Sequence, residues 1–286
     1  MCTVRNYNKF ESHIIECCQP GTTVIFQGEP YTIEMSGKPR PTSSRGECKT
    51  DVYLLLRSVD GISQEVKVSL KLPNADFIEN KVKMERAKTL FGDNYQSILL
   101  DISHSVSEAL DGIHQKSHPA IPEKSLRLGY RLDIVNKRSG RQSIPASMLS
   151  HQSLLDVLSG SKLPVDKRDS QVGGIVIPNS GVAEHILVSS PGDIHSAQDV
   201  FDQLVSLDDY LNTIEPHIAF KAVNYRPGKR TENRSLLVSY NYFIANNGEI
   251  VFSVDSNRPL EKTSVDIQKN VPKNVMDIIN GKCQET

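Results

Sequence analysis

The segment Glu65-Val66-Lys67-Val68-Ser69-Leu70-Lys71-Leu72 alternates without a break, with four aliphatic residues on one face and Glu65, Lys67, Ser69 and Lys71 on the other. A period of two sustained over eight residues is that of a strand with one side against a core. An apolar stretch, Asp51–Leu56, precedes it, introduced by Gly46-Glu47-Cys48-Lys49-Thr50, and Asp60-Gly61 between the two supplies the residues of a hairpin turn. Antiparallel pairing about that turn brings Asp51, at the start of one strand, beside Lys71, near the end of the other.

Upstream, Phe10, Ile14, Ile15 and Cys18 recur at helical spacing until Pro20-Gly21, which predicts a helix from about Asn8 to Cys18. Glu11 falls on its apolar side, where a carboxylate is costly unless it meets a cation or a donor; the alternative is a boundary position from which it reaches water. Thr22–Phe26 and Tyr31–Ile33 read as a hairpin, and Ser36–Gly46 as a polar loop whose Lys38, Arg40 and Arg45 are either solvated or within reach of phosphates. Beyond Pro73-Asn74 a long helical region is expected, with Phe77, Ile78, Val82, Met84, Ala87, Leu90 and Phe91 in one stripe and its anion-favouring start beside Asp51 and Lys71. A second helix follows over about Asn94 to Ile113.

The polar stretch from His114 to Lys124, with Pro119 and Pro122, marks a boundary, dividing the chain into 1–115 and 116–286. In the second part, strands are expected at 126–135, 173–178 and 185–188, and helices at 147–158 and 197–211. Ile218–Tyr225 and Ser235–Tyr242 read as a hairpin whose tip carries Arg226, Lys229, Arg230 and Arg234, a basic projection suited to phosphates or to solvent; a further strand, 249–254, follows. The fold class is therefore mixed α+β (α/β), with a central mixed sheet flanked by helices in the N-terminal half and a second α+β region containing an antiparallel hairpin.

Composition narrows the function. With 33 basic and 34 acidic residues there is no global field to announce a nucleic-acid partner, so any such contact must be local. No apolar run approaches the roughly 18 residues of a membrane span, and Met1–Asn6 has no secretory core, so a cytoplasmic protein without a membrane partner is expected. The five cysteines, Cys2, Cys17, Cys18, Cys48 and Cys283, and the eight dispersed histidines lack ligand spacing, which argues against zinc. P-loop, GxGxxG, GxSxG and HExxH motifs are absent.

What remains is an acid and a lysine side by side on one sheet. The acid can hold a divalent cation and the lysine can steady an attacking water, which are the parts metal-dependent phosphodiester hydrolysis needs. The Lys49-Thr50-Asp51-Val52 entry into one strand, the Ser69-Leu70-Lys71 end of the next, and Asn74-Ala75-Asp76-Phe77-Ile78 after it resemble the core of restriction-endonuclease-like nucleases, the PD-(D/E)XK fold, over residues 8 to 113. The resemblance implies Asp51 as metal ligand, Lys71 as catalytic lysine and Glu11 as the acid of the leading helix. It further implies Mg²⁺ as cofactor, DNA as partner, and an endonuclease of restriction or phage type; members that cut both strands as dimers also admit a homodimer.

The pattern departs at its second acid, which here is Ser69. Glu11, or Glu47 if the strand begins early, would have to supply the missing charge, with the Leu70 carbonyl as a further ligand; otherwise the fold is degenerate and serves nucleic-acid binding or protein assembly. Lys49 and Ser69 are the expected nucleic-acid contacts near the site, and the basic hairpin those of a target-recognition region in 116–286. An unrelated α+β interaction protein is the competing reading.

Overall fold

In a computed structural model of the chain the central hairpin forms as the alternation requires. The structure describes residues 3–43, 46–114, 126–138, 142–228, 236–237, 240–244, 246, 250–254, 262–263 and 268–280. In chain order the elements are α1 (Thr3–Cys17), β1 (Thr23–Phe26), β2 (Glu29–Gly37), β3 (Val52–Ser58), β4 (Ser63–Lys71), β5 (Phe77–Glu79), α2 (Met84–Phe91), α3 (Tyr95–His114), β6 (Leu126–Val135) and β7 (Gln142–Pro145). Then come α4 (His151–Ser159), α5 (Val165–Arg168), β8 (Ser170–Val172), β9 (Ile175–Ile177), β10 (His185–Val188), α6 (Ala197–Asp202), β11 (Val205–Ser206) and α7 (Leu207–Thr213). The chain continues with β12 (His217–Tyr225), β13 (Leu236–Leu237), β14 (Tyr240–Ile244), β15 (Ile250–Val254), β16 (Lys262–Thr263) and a helix at Lys273–Ile279.

These mixed α+β elements form two compact units, Met1–Ala75 with His151–Ile214 and Asp76–Ser150 with Glu215–Thr286. The break expected near residue 115 falls inside the second unit; the first unit is instead interrupted between β4 and α4.

The first unit holds a six-stranded sheet in the order β1-β2-β3-β4-β10-β11. Strands β1 to β4 run as an antiparallel meander, whereas β10 lies parallel to β4. The β1–β2 connection is a two-residue turn, Gln27-Gly28, with φ of 53° and 86°, the left-handed pair that matches the twist of flanking strands. Strands β3 and β4 pair Val52 with Val68 and Arg57 with Ser63, and Gly61 takes a φ of 81° in the turn between them. One sheet face packs Val52, Leu54, Leu56, Val66, Val68 and Leu70 against Phe10 and Ile14 of α1 and Val200 and Phe201 of α6. Each large side chain fully buried there contributes roughly 1.5–3 kcal/mol.

The polar face of β4 is buried as well, contrary to the one-sided strand that its alternation implies: Lys67 is 7% exposed and Ser69 6%. The segment leading into β10 accounts for this. Glu184 donates its N–H to the Lys67 carbonyl at 3.0 Å and places its carboxylate 2.7 Å from the Lys67 ammonium, with Glu65 at 3.7 Å. The strand is thus amphipathic in composition and central in position.

The second unit is built on a sheet in the order β16-β13-β6-β12-β7, with β5 on β6. The helix expected from Asn74 onward does not begin there. Residues 77–79 are a strand, with Ile78 buried between two half-buried neighbours, Lys81 has a φ of 57°, and Val82 donates to the Leu132 carbonyl at 3.2 Å. The apolar residues 77, 78 and 82 fit either period, and pairing with β6 decides it. Helix α2 begins only at Met84, so the helix start expected directly after β4 does not form. Buried Asp133 on β6 accepts the Lys81 N–H at 2.8 Å and pairs with Arg131 at 3.3 Å and Lys221 at 3.7 Å, which compensates its loss of water. The expected hairpin of 218–225 with 235–242 is also replaced: β12 pairs with β6 and β7, and β14 with β15.

Candidate functional site

Asp51 sits where the chain leaves the sheet. Its N–H donates to the Val68 carbonyl at 2.8 Å, as the antiparallel ladder requires. Upstream, Lys49 and Thr50 turn their N–H groups away from β4 to the Gly181 carbonyl, at 3.1 and 3.2 Å. A ladder donor on β4 would be orphaned by that departure, and the Asp51 carboxylate takes it: Oδ2 accepts the Leu70 N–H at 2.7 Å. The Ser69 hydroxyl donates to the same oxygen over a longer 3.4 Å. Asp51 therefore acts as a side-chain cap on the strand that carries Ser69, Leu70 and Lys71.

The surroundings of that carboxylate decide its charge. Burial pushes its pKa up to about 6, the Leu70 N–H and the Lys71 ammonium oppose the rise, Glu11 adds to it, and Lys38 opposes it. Glu11, on α1 one position after the core residue Phe10, has a side chain 14% exposed, and it forms an ion pair with Lys38 just past β2. Lys71 and Glu11, far apart in sequence, thus both act on Asp51 within one unit. Glu11 and Lys38 also line a cleft of about 600 Å³ together with Ser12, Arg40, Gln171 and the Gly173-Gly174 turn. Asp51 and Lys71 do not line it, although the charges of Glu11 and Lys38 act on the half-buried Asp51 carboxylate.

Other expected residues fall differently. Glu47 is exposed; β3 begins at Val52, so the early strand that would have aligned Glu47 with Asp51 does not form. Ser69 is buried against Asp51 rather than presented to a nucleic acid. The stem of Lys49 lies over Gly160, where an added Cβ would come within 2.6 Å of the lysine Cγ, so it is packed rather than dangling. Arg226 is exposed in the second unit, and Lys229, Arg230 and Arg234 lie outside the described residues. Cys18 and Cys48 are buried with their thiols pushed up by that burial, to about 12 for Cys18, which suits packing and not nucleophilic chemistry.

For a divalent cation the fit is with hard oxygen donors. No group of three or more His, Cys, Asp and Glu residues suited to a metal exists among the described residues. Two carboxylates, Asp51 and Glu11, influence one site electrostatically, and the described hydrogen bonds to Asp51 go to Oδ2. Sequence reasoning missed the Glu11–Lys38 pair, because Lys38 stood in an apparent loop; the costly acid on the apolar side of α1 was the signal that a cation had to be near. It also missed Gly181, whose role rests on an approach that no local pattern encodes. The chain matches no protein-family model, no curated protein and no solved structure. Among the described residues no helix is long and apolar enough to cross a membrane.

Proposed function

We propose that the unit formed by residues 1–75 and 151–214 is a divalent-metal-dependent deoxyribonuclease of restriction or phage type, acting in the cytoplasm on DNA. The observation that supports this reading is the half-buried Asp51 carboxylate, hydrogen-bonded to the Leu70 N–H within the fields of Lys71 and Glu11. The order of parts also supports it: a helix bearing an acid, a meander with Asp at the start of one strand, and Lys at the end of the next. Asp51 and Glu11 would hold Mg²⁺, with the Leu70 carbonyl as a further oxygen. A bound Mg²⁺ would supply Lewis acidity toward the phosphate and lower the pKa of water. Lys71 orients the attacking water and offsets charge gathering on the phosphorus. The second unit, with Arg226 and the basic residues after it, would serve target recognition, and a homodimer would place two such sites on a duplex.

The test is cleavage of supercoiled plasmid and of linear DNA and RNA with Mg²⁺, Mn²⁺ or EDTA, beside Asp51→Ala and Lys71→Ala. Metal-dependent cutting lost in both variants is the expected result. A second reading is favoured by Ser69, a neutral residue where a second acid would stand: a degenerate nuclease fold used for binding. Salt-sensitive DNA binding without cutting in any metal would establish it. Neither cutting nor binding would leave an interaction protein.

A further inference from the structure

Three exposed side chains that the proposed chemistry leaves unused stand in one row. Strands β8 and β9 form a two-stranded ribbon that, among the described residues, joins neither of the larger sheets. Its turn is Gly173-Gly174, with φ of 56° and 90°. Arg40, in the segment after β2, forms an antiparallel bridge with Gln171 through backbone hydrogen bonds of 3.0 and 2.8 Å. Gln171 is paired in turn with Val176 across the ribbon. Residues directly opposed on neighbouring strands share a face, so Arg40, Gln171 and Val176 lie side by side at intervals of ~4.8 Å. All three are exposed, and Val176 is so by 55%, a large value for an aliphatic side chain. Among the described residues Arg40 forms no ion pair. The Gln171 Nε2 donates to the Gly174 carbonyl at 2.9 Å, which orients the amide and leaves its oxygen and second N–H to a ligand.

A guanidinium, an oriented amide and a bare aliphatic group, in that order, match a phosphate and the A·T pair beside it. Arginine takes the phosphate, glutamine meets N6 and N7 of adenine, and an apolar group meets the thymine methyl in the major groove. Width selects the same groove. Two strands ~4.8 Å apart, with their side chains, are too broad for a minor groove of ~6 Å and fit a major groove of ~12 Å. Residues 170–177 carry no acid to repel the backbone. We propose that the β8–β9 ribbon enters the major groove of the DNA and reads an A·T pair, with Gln171 on the adenine, Val176 on the thymine methyl and Arg40 on a phosphate at the groove's edge. The proposal rests on the reading of the chain as acting on DNA, and adds to it a sequence-reading element within the first unit. The row consists of protein groups alone, so its binding is independent of any cation.

The experiment uses the full chain in EDTA and follows short fluorescent duplexes, A·T-rich and G·C-rich, by anisotropy over a range of salt. Two further A·T-rich duplexes carry single-atom or single-group changes: uracil for thymine, which removes only the methyl, and an adenine analogue with carbon in place of N7. Wild type is expected to prefer the A·T-rich duplex about fivefold or more and to bind both altered duplexes less tightly. Val176→Ala should become indifferent to uracil and Gln171→Ala to the loss of N7. Arg40→Gln should keep the base preference while lowering the slope of log affinity against log salt by about one. The changes made in the DNA test the unaltered protein, so a variant that fails to fold does not leave the outcome open. If wild type binds duplexes with equal affinity whatever their bases, the proposal is overturned while the nuclease reading stands on its cleavage test. If wild type neither binds nor cuts any duplex, both fall together.

Discussion

Asp51 exchanges water for one strong backbone donor and two nearby ammonium groups, and the exchange is incomplete: its carboxyl titrates at about 6 against an ordinary 3.8. The folded protein therefore holds this proton more tightly than the unfolded chain does. The stability this group contributes is fully present below about pH 4 and is lost as pH rises through 6. At roughly 1.4 kcal/mol per unit, discounted for the part of the residue that meets solvent, the cost at pH 8 is about 1–3 kcal/mol. Asp51→Asn keeps an acceptor for Leu70 and removes the charge, so it is expected to raise the midpoint of thermal unfolding at pH 8, with a gain that shrinks toward pH 4. A lower midpoint at pH 8 would refute the burial account. Under the proposed metal-dependent reading, affinity for Ca²⁺ as a probe cation, measured by calorimetry, should fall as pH drops below 6, because protonated Asp51 cannot hold a cation. At this scale the sequence was informative where chemistry is local: Asp51 and Lys71 follow from a turn and a period of two. It placed Lys38 in a polar loop and missed its pairing with Glu11, because that partner depends on how α1 lies against the end of β2.

Among the elements, β4 and the segment preceding β10 depend on each other. Gly181 gives its carbonyl to Lys49 and Thr50 and its N–H to the Arg168 carbonyl at 2.8 Å. A Cβ there would stand 1.9 Å from the Lys167 carbonyl oxygen, a backbone atom that cannot step aside. Gly181→Ala should cost about 1–3 kcal/mol in urea unfolding and weaken Ca²⁺ binding by shifting the approach to Asp51; an unchanged midpoint would show that the contact relaxes freely. The Lys67 pair predicts an asymmetry. Lys67→Met, an apolar replacement of similar length, should change stability by less than about 1 kcal/mol, whereas Glu184→Ala leaves a nearly buried ammonium with only the more distant Glu65 and should cost more. Denaturant titration of both variants checks the order. The meander from β1 to β4 was legible because alternation and turn residues agree. The strand at 77–79 was not, since its apolar residues satisfy a helix equally well and only β6 distinguishes the two.

Across the whole molecule, the chain builds its first unit from two separated stretches. Scanning calorimetry is expected to resolve two transitions, and under the proposed metal-dependent reading only the one belonging to residues 1–75 and 151–214 moves upward with Ca²⁺. Asp51→Ala should abolish that movement, and a shift of both transitions would mean that the cation binds elsewhere. No pattern within a short window could have revealed this arrangement, because the pairing of His185 with Val68 joins residues whose proximity is set by everything folded between them. The same pairing has a consequence for the birth of the protein. On the ribosome, β4 emerges early and waits with one edge bare until β10 follows, after the whole of residues 76–150 has been made. A chain cut short anywhere in that interval carries Asp51 and Lys71 without the strand that flanks them, and presents a sticky edge to its neighbours. Incomplete copies are thus expected to aggregate or be degraded, so the fully flanked strand is confined to finished molecules.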